Sequence, residues 1–93
     1  MAIFFHHPVT YFTLTHTIGA THESWKAALR SGNESAKASC IEHLKWLATQ
    51  AIRVADGGNA STARRVLLDR LRPIADEIPE VALILRDAGW REK

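Results

Sequence analysis

From Cys40 to Ala55 the apolar residues at 40, 41, 44, 47, 48, 51, 52 and 55 follow the i, i+3, i+4, i+7 rhythm of a single helix face. A strand cannot hold that rhythm, because its period of two would send half of the apolar set into water. The stripe therefore predicts a long helix. Ser31 and Glu34 have the S-x-x-E spacing of a capping box in front of it, and the periodicity runs to about Asp56. Asp56-Gly57-Gly58-Asn59 then reads as a turn, with glycines to supply positive φ and Asn59 or Ser61 to cap the next helix. That third helix is predicted from Ala60, Ala63, Leu67, Leu71, Ile74 and Ile78, whose phase survives Pro73 as a kinked continuation or as a closely stacked new helix. Pro79 suits the first position of a last helix, Glu80 to Ala88, with Val81, Ile84, Leu85 and Ala88 facing inward. Gly89 is a natural C′ residue there, and Trp90 then falls at C″, where it packs on Leu85.

Upstream the period changes. From Tyr11 to Ile18 the residues alternate, with Phe12, Leu14, His16 and Ile18 on one side and Tyr11, Thr13, Thr15 and Thr17 on the other, the pattern of a half-buried strand. Ile3-Phe4-Phe5 is a second short apolar run, and His6-His7-Pro8 between the two offers a turn. Gly19 and Ala20 release the strand, Thr21 is placed to cap a short helix over about residues 22–30, with Trp25, Ala28 and Leu29 on one side, and Gly32 ends it. The predicted fold is mainly α: a small bundle of three to five helices with an N-terminal β-strand or hairpin arm. A chain of 93 residues can bury one modest core, so a single domain over residues 1–93 is expected, with 1–20 as an extended arm and 21–93 as a helical body.

Charge follows the same division. All twelve Lys/Arg and ten Asp/Glu lie between Glu23 and Lys93, and the balance of +2 is too small to mark a nucleic-acid binder. The uncharged arm has no basic n-region and too many polar residues for a membrane span, so neither secretion nor membrane insertion is expected. One cysteine, Cys40, excludes an intramolecular disulfide and suits a reducing compartment, with the cytoplasm as the expected location.

The chemistry-bearing residues do not assemble into a reaction centre. Among the five histidines and Cys40, the pair Cys40 and His43 has the spacing that puts two ligands on one helix face, but Cys40 belongs to the apolar stripe and His43 stands about 60° from it. His6 and His16 could meet across a hairpin, without a carboxylate nearby in sequence. No metal and no cofactor are expected. The serines at 24, 31, 35, 39 and 61 lack a nucleophile elbow, and Gly57-Gly58 lacks the length and the lysine of a phosphate loop. Asp76, Glu77 and Glu80 around Pro79 read as first-turn acids that complement a helix dipole. A catalytic role is therefore not expected.

A helix-turn-helix register also fails. With Gly57 as the turn glycine, Arg53 occupies the position where a small residue must let two helices touch. With Gly58, Arg64 falls where the recognition helix needs an apolar anchor. Arg64, Arg65, Arg70 and Arg72, with Asp69 among them, read as a mixed solvated face.

What remains are apolar residues the core does not require. Trp46 points about 160° from the buried stripe of the long helix, beside Ser39, Glu42, His43, Gln50 and Arg53. Either the arm covers this face, or Trp46 with Arg53, Gln50, His43 and Glu42 docks on a protein partner, since Trp and Arg are enriched at binding hot spots. The strand of Tyr11, Phe12, Thr13, Leu14 and Thr15 has no edge protection and is expected to pair with a symmetry mate, giving a homodimer, or with another protein.

The expected function is that of a non-catalytic regulator, inhibitor or adaptor that acts by docking and occlusion. A DNA-binding regulator is the alternative, and a small enzyme or metal protein the second. In size and style, though in no motif, the chain resembles the small accessory proteins of bacteria and their phages, which implies a blocker of a host protein.

Overall fold

In a computed structural model that describes residues 11–56 and 60–90, the chain forms four α-helices: α1 Tyr11–Ser31, α2 Glu34–Asp56, α3 Ala60–Glu77 and α4 Pro79–Asp87. The small helical bundle is as expected, and the N-terminal strand is not. Leu14, Ile18, Thr21, Trp25 and Ala28 are all buried, and their spacing of four, three, four and three residues makes one continuous helical stripe. Leu14 and Ile18 fit a period of two as well as this one, so the local alternation misleads until Trp25 and Ala28 are counted. Energetics agree with the helix. The β-branched residues of this stretch cost at most about 0.7 kcal/mol each in helix propensity, whereas burying Leu14 and Ile18 returns roughly 1.5–3 kcal/mol apiece.

Other boundaries move with that correction. Gly19 and Ala20 do not release a strand but lie inside α1, and Thr21 is not an N-cap but a mid-helix residue 8% exposed. α1 does end at Gly32, whose φ is +73°. The Gly32 amide donates to Leu29 O and the Asn33 amide to Ala28 O, the paired bonds of a Schellman stop. The expected capping box of Ser31 and Glu34 does not form. Asn33 is the cap instead, its Oδ1 accepting from the Ala36 amide at 3.0 Å, while Ser31 Oγ donates back to Ala28 O. The Ile3-Phe4-Phe5 run, the His6-His7-Pro8 turn and the Gly57-Gly58-Asn59 turn lie outside the described residues.

The two prolines act differently. Pro73 sits within α3 on its exposed side, where water can serve the carbonyl that loses its donor, so the helix continues. Pro79 opens α4, and Ile78 before it takes the extended conformation, φ −123° and ψ 100°, that a residue preceding proline prefers. Ile78 is 1% exposed, and its carbonyl accepts from both the Val81 and Ala82 amides, so one buried residue joins the two helices. Gly89, at φ +77°, closes α4 with a second Schellman pair: its amide donates to Arg86 O and the Trp90 amide to Leu85 O. Trp90 is 2% exposed and belongs to the core.

Leu14, Ile18 and Trp25 of α1, Leu44, Leu47, Ala48, Ala51 and Ala55 of α2, Leu67, Leu71 and Ile74 of α3, and Val81 and Leu85 of α4 make one apolar cluster. α2 packs against each of the other three helices, α3 also packs against α1 and α4, and the Cα atoms of α1 and α4 come no closer than 8 Å. The Cα envelope measures 45 × 40 × 17 Å, and at 8–10 Å between packed helices the short axis has room for two layers but not a third. None of the described helices is long and apolar enough to cross a membrane.

Replacing Leu44 or Leu47 by alanine is expected to lower stability by about 2–5 kcal/mol, read by chemical denaturation, through lost transfer energy and the cavity left behind. Gly32→Ala should cost about 1 kcal/mol or more by the same measurement, because its left-handed backbone disfavours a Cβ.

Candidate protein-docking surface

The residues of α2 that point away from the core form the candidate site. Helix geometry advances 100° per residue, so the buried set centred on Leu44, Ala48, Ala51 and Ala55 leaves Glu42, Trp46, Thr49 and Arg53 on the far side. All four are exposed, Trp46 at 51%. His43 and Gln50 flank this ridge, the first exposed and the second half-buried. The expected neighbours of Trp46 are thus brought together on one helix face.

Their local order is set within the helix. The His43 and Trp46 rings lie 6.2 Å apart, centroid to centroid, at 33°. Lys45 Nζ donates to Glu42 Oε2 at 3.2 Å, and Thr49 Oγ1 donates to Lys45 O at 3.0 Å. About half of the indole stays in water, on the order of 100 Å². At roughly 25 cal/mol per Å², covering it would return about 2.5 kcal/mol.

The second set of expected binding residues does not survive as a strand edge. Leu14 is 2% exposed and faces the core, Thr13 is exposed, Thr15 is half-buried, and the side chains of Tyr11 and Phe12 lie outside the described ones. Because Tyr11 to Ile18 is helical, its carbonyls accept along the helix and its amides beyond the first turn donate along it, so this segment has no strand edge to pair with a symmetry mate.

Several interactions carried no signal in the sequence because their partners are far apart along it. His22 Nε2 donates to Glu77 Oε1 at 2.9 Å, linking α1 to α3, and the His22 ring stacks on Trp25 at 6.1 Å. The buried Trp25 Nε1 has no hydrogen-bond partner among the described residues, a cost of about 1–3 kcal/mol that the packing of the ring must outweigh. Arg64 lies over the Trp90 ring at 5.4 Å and donates from Nη2 to Gly89 O at 3.3 Å. Leu29 and Leu83 are exposed singly, at 48% and 47%.

A groove of about 460 Å³ between α3 and α4 is lined by Leu68, Arg72, Ala75, Asp76, Ala82, Leu85 and Trp90, with Arg72 and Asp76 its charged groups. That lining offers an apolar floor and one ion of each sign, without a nucleophile. Among the described residues no group of three or more His, Cys, Asp or Glu side chains could hold a metal ion. No model of a known protein family matches the chain, and neither curated proteins nor solved structures give a match.

Trp46→Ala is expected to change the unfolding free energy by less than about 1 kcal/mol. The ring neighbour of Trp46 stands on its own helix, and alanine recovers about 0.5 kcal/mol of helix propensity. Chemical denaturation monitored by circular dichroism checks this.

Proposed function

We propose that the protein is a non-catalytic protein-binding module, a small regulator, inhibitor or adaptor of the cytoplasm that docks through the outer face of α2 and acts by occlusion. The observation that carries this reading is Trp46, half exposed on a rigid helix directly away from the core and ringed by Glu42, His43, Gln50 and Arg53. An aromatic anchor surrounded by hydrogen-bonding groups is the usual composition of a binding hot spot. The likeness in size and style to phage and bacterial accessory proteins fits a partner that the module blocks.

The arginines of α3 support the same choice over DNA binding. Arg64 is engaged by Trp90 and Gly89, and Arg72 lies 4.0 Å from Asp69. A helix whose cations serve its own fold has fewer left to neutralise phosphates.

Affinity capture from the native host, with intact chain and Trp46→Ala as parallel baits, tests the reading. A protein should be retained by the intact chain and bound about 30-fold more weakly by the variant, which is the hot-spot range for a truncated aromatic anchor. Equal retention by both baits, or salt-sensitive binding of duplex DNA in place of a protein, would overturn it.

A further inference from the structure

The outer face of α2 is ordered more strictly than a hot spot requires. Ser35, Ser39, Glu42, Trp46, Thr49 and Arg53 are all exposed and succeed one another at intervals of four, three, four, three and four residues. That is the 3.5-residue repeat by which one helix presents a straight seam to another. The seam is about 27 Å long. Its last four members lie within about 35° of the direction opposite the core.

The chemistry along the seam is complementary to itself. Glu42 and Arg53 are symmetric about a point between Leu47 and Ala48, and Trp46 and Thr49 are symmetric about the same point. A second copy of the helix, laid antiparallel with a two-fold axis through that point, sets Glu42 against Arg53 twice and Trp46 against Thr49 twice. Such an isologous contact needs residues to find their complements in the same surface, and Glu42, Trp46, Thr49 and Arg53 do. A parallel pairing would instead oppose Glu42 to Glu42 and Arg53 to Arg53. Thr49 is small enough for the facing indole to pack against it, and the two indoles supply the apolar area. Glu42 is 73% exposed despite its bond to Lys45, so it keeps lone pairs for a guanidinium.

We infer that the outer face of α2 is an interface between two copies of this chain, docked antiparallel so that Glu42 and Trp46 of one meet Arg53 and Thr49 of the other. The inference rests on the reading of this face as a protein-docking surface and names its occupant. One helix pair of this length buries less than about 1,200 Å² in total, the class of weak and exchangeable contacts. The dimer is thus a reversible state at high concentration, able to give way to a tighter partner on the same face.

Sedimentation equilibrium from micromolar to millimolar concentration, on the full chain, tests this. The intact chain should show a reversible monomer–dimer equilibrium. Glu42→Arg and Arg53→Glu each create two like-charge oppositions, and each should weaken dimerisation by about tenfold or more. Mixed together, the two variants place opposite charges at every pair, so association should return to within roughly threefold of the intact chain. Both positions are exposed, and circular dichroism should confirm that each variant keeps its helix content. Trp25 and Trp90 are buried, so collisional quenching reports mainly on Trp46 and should fall as the dimer forms.

A chain that stays monomeric throughout, or a dimer indifferent to both charge variants, would overturn the inference. If the chain is monomeric but still captures another protein in a Trp46-dependent way, self-pairing is wrong and the docking face stands. If Trp46→Ala disturbs neither association nor capture, both are wrong.

Discussion

The structure depends on one helix being able to touch three others at once. The inward positions of α2 from Leu44 to Ala55 are buried, and three of them, Ala48, Ala51 and Ala55, are alanines with no exposed surface. Alanine is what permits this, because a single methyl lets neighbouring helices come near the short end of the 8–10 Å packing range. Leu44 and Leu47, at the middle of the helix, are buried with them and supply the larger apolar side chains of the same face. The Cα atoms of α1 and α4 come no closer than 8 Å, so contact through α2 and α3 is what makes the four helices one core.

How much of this is legible in the sequence varies with the distance over which each determinant acts. α2 rests on the periodicity of its own sixteen-residue stripe, and the stop at Gly32, Pro79 at the head of α4 and the Gly89–Trp90 closure rest on signals a few residues long; all are found. α1 is different, because its stripe begins in a segment whose alternation satisfies two periods at once. The choice between them is made by Trp25 and Ala28 and by the partner helices, that is, by tertiary burial overriding local propensity. The capping box fails for a related reason. Asn33 is the stronger cap at the right place, and Ser31 is still inside the preceding helix. The ridge around Trp46 is legible because it needs only the phase of one helix. The His22–Glu77 and Arg64–Trp90 contacts are not, because a fold must first bring their members together.

These two cross-links also bear on what the surface can do. His22–Glu77 ties α1 to α3, and Arg64 covers Trp90 while holding the carbonyl of Gly89, so polar groups with the chemistry to hold a ligand serve the fold. A molecule whose Cα atoms span 17 Å along the short axis commits its interior to a single apolar cluster, which leaves surface ridges and shallow grooves as the places where chemistry can act.

The ridge on α2 is well placed for recognition because its opposite face is the core. A binding residue on a loop must be ordered at the moment of association, and each immobilised side chain adds about 0.5–1.5 kcal/mol to the cost. On α2 the backbone is already fixed by Leu44, Leu47 and the three alanines, so only side-chain rotamers remain to be restricted. Trp46 has two rotatable bonds and a large flat ring, which gives much area for little ordering. Glu42 is partly restrained by Lys45 in the free protein. On the proposed reading the same helix carries the core on one face and the docking ridge on the other, and the residues that fix its backbone are the ones that would keep Glu42, Trp46 and Arg53 in register. A change in the core at Ala48 or Ala51 would therefore be felt at the docking ridge through rotation or bending of α2, without any contact to Trp46 itself.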